Sequence, residues 1–274
     1  MRTDPFENEY KKCNSGTNAE KMADIPRFPD IVDIELTNKC NLRCPMCPTG
    51  RKELKRKRGF MDEVIFMSIL YECEQHKTPI RLVRWGEPML HPDFWELIEY
   101  ANICGIKIHL NTNGYFLTEM KAPIDSIKIS IHESSDKQRE ALNNLSQMDC
   151  FRAFSVTDEE DFVNFASLSP CGIREDAKGR IDRITKYRTY RKGMDAPRLP
   201  NCPEVFNKLS VNWDGTVSAC CNDYDNLMLV GDIRQERLID IWRGKKMHDY
   251  RKLIVEDKHW NLPLCSECYD LGAY

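Results

Sequence analysis

The chain has 274 residues, of which 41% are hydrophobic and 30% charged, a balance that excludes both a disordered polymer and a membrane-embedded bundle. Its 40 basic and 43 acidic side chains nearly cancel, so no net field points to nucleic acid as the main partner. The opening MRTDPFENEYKKCNSG lacks an apolar signal region, and no later stretch has the uninterrupted apolar length of a bilayer span. The expectation is a cytoplasmic protein, in which 13 cysteines serve as metal or cluster ligands and core thiols, because disulfides are rare in a reducing compartment.

Residues 1–30 are polar, aperiodic and punctuated by Pro26 and Pro29, which predicts a loosely held arm. The fold is expected to begin at Ile31. IVDIEL alternates as a strand, the loop NKCNLRCPMCPTG follows, and Val64, Ile65, Ile69, Leu70 and Cys73 recur at helical spacing from Met61 to about His76. IRLVRW reads as a second strand running into a WGEP turn, and HPDFWELIEYANICG as a helix ended by Gly105. IKIHL then enters the turn NTNG, and DSIKISI enters HESS. Strands that alternate with helices and deliver polar loops at their C-terminal ends predict an α/β fold, a partial parallel (β/α) barrel with its site at that edge. Between about 132 and 200 the pattern weakens into helix, strand and helix followed by a mostly charged stretch. From Asn201, LSVNW, Asp214–Gly215 and TVSACC form a hairpin signal of the type I′ kind that opens a new module. The expected division is an arm at 1–30, a core domain at 31–200 and a C-terminal module at 201–274.

The segment CNLRCPMC places Cys40, Cys44 and Cys47 within eight residues, just after the first strand. Cubane iron–sulfur clusters take four thiolates, so three leave one iron open to bind a substrate or cofactor. A zinc site or a set of core thiols is the plainer alternative. Zinc closes with four ligands, however, and neither His76 nor His91 stands at a usual zinc-ligand spacing from the triplet.

CxxxCxxC at this position resembles the radical S-adenosylmethionine (SAM) superfamily. The resemblance implies that the open iron of a 4Fe-4S cluster chelates the amino and carboxylate groups of the methionine portion. Reduction then cleaves the sulfonium, and a 5′-deoxyadenosyl radical abstracts hydrogen from a substrate. Trp85-Gly86-Glu87-Pro88 is similar to the family's GGEP segment, with Trp85 where glycine is usual, and implies contacts to the methionine amino group. Asn111, Thr112 and Asn113, and Ser130 at the end of the fourth strand, take positions that in the family contact the ribose and methionine carboxylate. Read without the triplet, NTNG is merely a good turn.

In the C-terminal module, NCPEVF, NWDGTVSACC, VGDI with LIDIW, and PLCSEC resemble the auxiliary-cluster module called SPASM or, when shortened, twitch. The implied ligands of one auxiliary 4Fe-4S cluster are Cys202, Cys220, Cys265 and Cys268. Cys220 is chosen over the adjacent Cys221 by the family's Gly-x4-Cys spacing from Gly215. A zinc ribbon remains the structural alternative for this set. Cys73 and Cys104 fall in helical patterns and are expected as core thiols; Cys13, Cys150, Cys171 and Cys221 have no assigned role.

RKELKRKR at 51–58 reads first as a solvated loop and second as a collector of an anionic substrate or donor protein. His91 and His109 read as structural, and Asp214 as a turn residue. A closed auxiliary cluster can take an electron from a substrate radical, which implies net oxidation, for example of an aminocyclitol or sugar alcohol to a ketone. The rival reading within the class is a peptide- or protein-modifying maturase. Outside the class it is a non-catalytic iron–sulfur or zinc-binding electron-transfer or interaction protein. Implied partners are SAM, a small-molecule or peptide substrate and a donor such as flavodoxin or ferredoxin.

Overall fold

In the computed structural model the described residues are 4–44, 47–131, 136–146, 148–156 and 202–265. Two helices, α1 (Glu7–Asn14) and α2 (Asn18–Ala23), precede strand β1 (Ile31–Ile34). The alternation then runs α3 (Glu63–His76), β2 (Ile80–Leu82), α4 (Phe94–Ile103), β3 (Ile108–Thr112), β4 (Ser126–Ile131), α5 (Asp136–Ser146) and β5 (Phe151–Val156). After residue 201 come α6 (Pro203–Asn207), β6 (Lys208–Val211), β7 (Thr216–Ser218), β8 (Leu229–Asp232), α7 (Leu238–Arg243) and α8 (Lys245–Val255). No helix among the described residues is long and apolar enough to cross a membrane.

All the strands among the described residues join one eight-stranded sheet in the order β5-β4-β3-β2-β1-β6-β7-β8. Pairing is parallel from β5 to β6 and antiparallel across β6, β7 and β8. The result is the open α/β partial barrel that the alternation predicts. The strand that opens the C-terminal segment, β6, pairs with β1, so this segment extends the existing sheet instead of building a second one.

Alternation within the strands sets the two faces. Val32, Ile34, Ile80, Leu82, Ile108 and Leu110 pack with Phe66, Ile69, Leu70, Leu97 and Ile98 of α3 and α4 in the main core. Residues at the intervening positions lie on the inner face, and apart from Ile31 they are polar. In register across five strands stand Ser210, Asp33, Arg81, His109 and Ser126, all buried.

The N-terminal segment is not the loose arm its composition suggests. Thr17 and Glu20 form a capping box on α2, and Phe6 and Cys13 are fully buried. Phe6 meets the His109 ring edge-on at 5.6 Å, and the Lys21 ammonium donates to Asn207 Oδ1 at 2.8 Å. Few apolar residues suffice to dock a short helix when each is fully buried, and no periodicity reveals them. The hairpin also differs in detail. Gly215 has a φ of 85° while Asp214 keeps a negative φ, and Gly215 N donates to the Asn212 carbonyl at 3.0 Å. This is a tight turn followed by a left-handed glycine, because a type I′ turn needs both central residues at positive φ.

Candidate active site

The three N-terminal cysteines sit on the loop that leaves β1. Cys47 N donates to the Cys44 carbonyl at 3.1 Å and Arg51 N to the Cys47 carbonyl at 2.9 Å. Gly50 closes the loop so tightly that a Cβ there would stand 2.3 Å from the Cys44 carbonyl oxygen. Behind it, Asn38 ties the returning chain by donating to the Lys57 carbonyl at 2.7 Å and accepting from Gly59 N at 3.1 Å. The Cys40 sulfur accepts from Leu42 N at 3.5 Å, yet burial pushes its thiol up to about 11. Such a thiol keeps its proton until a cation offsets the lost solvation. Three half-buried thiols on one tight loop are the donor set of a cubane with one open iron, so they fit the group.

The WGEP turn lies directly across this loop. A Cβ on Gly86 would come within 2.0 Å of the Thr37 carbonyl oxygen, and Glu87 N donates to the Lys39 carbonyl at 2.9 Å. Glycine is required here by close approach. Buried Trp85 packs its ring edge-on against Tyr224 at 5.6 Å, and its carbonyl accepts the Thr49 hydroxyl. Buried Glu87 accepts from Thr112 Oγ1 at 2.7 Å, Asn113 N at 2.7 Å and Met89 N at 3.2 Å. Burial, outweighing those bonds, raises its carboxyl to about 7. Asn113 in turn donates to Asn41 Oδ1, next to Cys40, at 2.8 Å.

The structure therefore brings Glu87, Thr112 and Asn113 onto the cysteine loop. Ser130 joins through Gln138, whose amide donates to the carbonyls of Asn113 and Ser130 at 3.1 Å each. Asn111 is turned toward the inner face, where its Oδ1 accepts from His109 Nε2 at 2.8 Å. His109 Nδ1 accepts the Ser126 hydroxyl at 2.8 Å, and burial with nearby Arg81 holds the ring neutral, down to about 3. It is a structural histidine. So is His91, bonded to the Met61 carbonyl at 2.8 Å.

Sequence reasoning missed the ion pairs of the inner face. Arg81 forks onto Asp33 at 2.6 and 2.7 Å, and Arg56 forks onto Glu35 at 2.7 Å on both arms. The signal was present in IVDIEL, whose acidic residues occupy alternate positions of a strand buried on both faces. Arg56 also shows that the basic run is not uniformly solvated, since its Nε donates to the Tyr224 carbonyl at 2.7 Å.

The second cysteine group is assembled from separate elements. Cys202 caps α6 and its N–H donates to Asn18 Oδ1 at 2.7 Å. Cys220 follows β7, and its sulfur accepts from Asn222 N at 3.4 Å. A hydrogen bond to Cys221, together with burial, raises the Cys220 thiol well above its ordinary range. Cys265 contacts the Met228 sulfur at 3.9 Å, and Cys268 lies outside the described residues. The Cys221 sulfur, beside that of Cys220, also lies within 4.8 Å of carboxylate oxygens of Asp33 and Glu204. Both carboxylates already have protein cations, Arg81 for Asp33 and Lys208, at 2.5 Å, for Glu204. Cys73 and Cys150 are buried core thiols, Cys104 packs at the core edge, and Cys171 lies outside the described residues.

An open α/β partial barrel with a three-cysteine loop beneath a Gly-Glu-Pro turn defines a class, and the family matches agree. Residues 34–154 match the radical SAM superfamily and residues 202–269 match SPASM, an iron–sulfur cluster-binding domain. The chain belongs to the radical SAM superfamily and carries a SPASM module. It is an iron–sulfur enzyme whose family uses a 4Fe-4S cluster with SAM and an auxiliary iron–sulfur cluster.

Among relatives, it is 23% identical to the S-adenosyl-L-methionine-dependent 2-deoxy-scyllo-inosamine dehydrogenase of Niallia circulans, over 89% of this chain and 94% of the relative. The crystal structure of BtrN in complex with AdoMet and 2-DOIA superposes with a TM-score of 0.63 and 21% identity, covering 89% of this chain and 94% of that one. A putative glycyl-radical enzyme activating enzyme of Methanocaldococcus jannaschii is 32% identical over 64% of this chain and 69% of its own. The mycofactocin maturase MftC of Mycobacterium tuberculosis is 26% identical over 61% of this chain, which spans only 47% of the maturase.

Proposed function

We propose that this enzyme oxidises a secondary alcohol of a small aminocyclitol or sugar-like substrate to a ketone. The observation that carries this reading is the similarity to an aminocyclitol dehydrogenase along nearly the whole of both chains, and the inner face of the barrel shows how the protein supports the site. A closed barrel fills its interior with layers of branched apolar side chains. Here the corresponding positions carry Asp33, Glu35, Arg81, His109, Asn111, Ser126 and Ser210, most of them deeply buried and hydrogen-bonded. α1 packs on this wall, Phe6 against His109 and Tyr10 against Arg81, so its paired polar groups brace the fold and leave the strand ends for substrate. The near end-to-end match to the aminocyclitol dehydrogenase, against under half of the maturase, supports a small substrate over a peptide.

In this reading Cys40, Cys44 and Cys47 hold the radical cluster. Trp85, Gly86, Glu87, Asn111, Thr112, Asn113 and Ser130 shape the SAM site at the strand ends. When bound, the cluster and SAM supply one-electron cleavage chemistry that removes a hydrogen atom from substrate. The protein's own contribution is orientation. Glu87 fixes the β3 end against the cysteine loop through Thr112 and Asn113, and Gly86 lets the turn approach the Thr37 and Lys39 carbonyls. Alcohol-to-ketone oxidation removes two electrons and two protons, so it needs an electron acceptor besides the hydrogen-atom acceptor. Cys202, Cys220, Cys265 and Cys268 provide the place for one. Cys220 is preferred over Cys221 by its spacing from Gly215. A cytoplasmic flavodoxin or ferredoxin would reduce the enzyme, and the working division is a core at 31–200 and a cluster module at 201–274.

The test is anaerobic turnover of reconstituted enzyme with SAM, reductant and 2-deoxy-scyllo-inosamine. One 5′-deoxyadenosine per ketone formed is expected. Slow 5′-deoxyadenosine formation that no aminocyclitol or sugar alcohol accelerates, and that a peptide does, would overturn the substrate assignment.

A further inference from the structure

Between the two cysteine groups stands one side chain that neither motif predicts. Arg84, at the end of β2, has a φ of 117°, a conformation that costs a residue with a side chain about 1–3 kcal/mol and persists only where the surroundings fix it. What fixes it is the loop after β7. Arg84 Nη2 donates to the Asp223 carbonyl at 2.8 Å and Nη1 to the Cys220 carbonyl at 3.4 Å. Asp223 is itself the keystone of that loop, its carboxylate accepting from Ser218 Oγ at 2.7 Å and from Leu227 N and Met228 N at 2.8 Å each.

The third nitrogen carries the argument further. Arg84 Nε is buried and has no hydrogen-bond partner, and no carboxylate among the described residues forms an ion pair with this guanidinium. A partly buried positive charge answered only by carbonyl dipoles is costly unless an anion stands nearby. Arg84 grips the carbonyl of Cys220, a proposed ligand of the auxiliary cluster. A cubane held by four thiolates carries net negative charge, and charge and hydrogen bonding around such a cluster set its potential.

We propose that Arg84 is a positioning residue for the auxiliary cluster, holding the Cys220 loop against the WGEP turn and offsetting the cluster's negative charge so that its reduced state is favoured. This rests on the assignment of Cys202, Cys220, Cys265 and Cys268 as a cluster site. The partner it implies is the electron-accepting cluster itself, with the guanidinium making it a stronger acceptor.

The experiment uses the full chain with Cys40, Cys44 and Cys47 each changed to Ala, so that the auxiliary cluster alone is present. Its midpoint potential is followed by electron paramagnetic resonance in a redox titration. In this background Arg84→Gln is expected to retain iron and shift the potential to more negative values. Arg84→Lys, which keeps the charge but loses the planar fork, should give a smaller shift in the same direction. An iron-loaded Arg84→Gln with an unmoved potential overturns the inference and leaves the cluster assignment standing. Should Arg84→Gln fail to hold iron, the Arg84→Lys potential decides, and no shift again overturns the inference. A background protein that binds no iron overturns the cluster assignment and, with it, the role given to Arg84.

Discussion

The two cysteine groups, each proposed to hold a cluster, are assembled by different routes. Cys40, Cys44 and Cys47 lie on one loop, closed by its own backbone at Cys44, Cys47 and Gly50. Cys202, Cys220 and Cys265 come from the start of α6, the end of β7 and the stretch after α8. They are held by side chains from elsewhere, Asn18 on Cys202 and Arg84 on Cys220. A local loop can offer an open coordination position because few residues need to agree. A dispersed site is set by the tertiary fold, and here that fold is the core sheet itself, since β6 pairs with β1.

Cysteine variants break the comparison most sharply. Cys40→Ala should reduce SAM cleavage to background and remove about four irons per chain, leaving the second group loaded. Cys220→Ser should do the reverse, removing the auxiliary iron while SAM is still cleaved and the ketone is no longer made. Cys221→Ser should retain both iron sets. Iron content and product analysis of the three purified variants check this, and a Cys221→Ser protein lacking auxiliary iron would exchange the two assignments.

A smaller effect sharpens it at Glu87. In the cluster-free protein its carboxyl is raised to about 7 by burial, so the folded state binds a proton that the unfolded chain has released above about pH 4.5. Folding therefore takes up a proton, and this group's contribution to stability falls as pH rises from about 4.5 to about 7. The expected loss is on the order of 3 kcal/mol. Denaturant unfolding at pH 5 and pH 8 should show wild type losing more stability than Glu87→Gln, which cannot ionise. Parallel losses in the two proteins would contradict the assignment.

The difference between the two groups also explains what could be read from sequence. CNLRCPMC and the hairpin glycine are local patterns, and the strand–helix alternation fixes the sheet because parallel strands need crossovers. Helices α1 and α2 escaped notice because Phe6 and Cys13 are isolated apolar residues in a polar segment, although the Thr17–Glu20 capping box was a readable signal. Asp33 and Arg81, 48 residues apart, become partners only once β1 and β2 are in register. Arg84 was equally hidden, since nothing in IRLVRW announces a positive φ or a reach of 139 residues to Asp223. Trp85 looked like a misfit beside the family's glycine. In the fold its ring leaves the turn to pack on Tyr224, and Gly86 makes the close approach.

The central claim is that both groups hold iron–sulfur clusters, one open and one closed. Its most direct test is the iron, sulfide and zinc content per chain after anaerobic purification and reconstitution. About eight irons with matching sulfide and little zinc are predicted. About four irons with one zinc would make the C-terminal group a structural metal site, and a chain without iron would contradict the account as a whole.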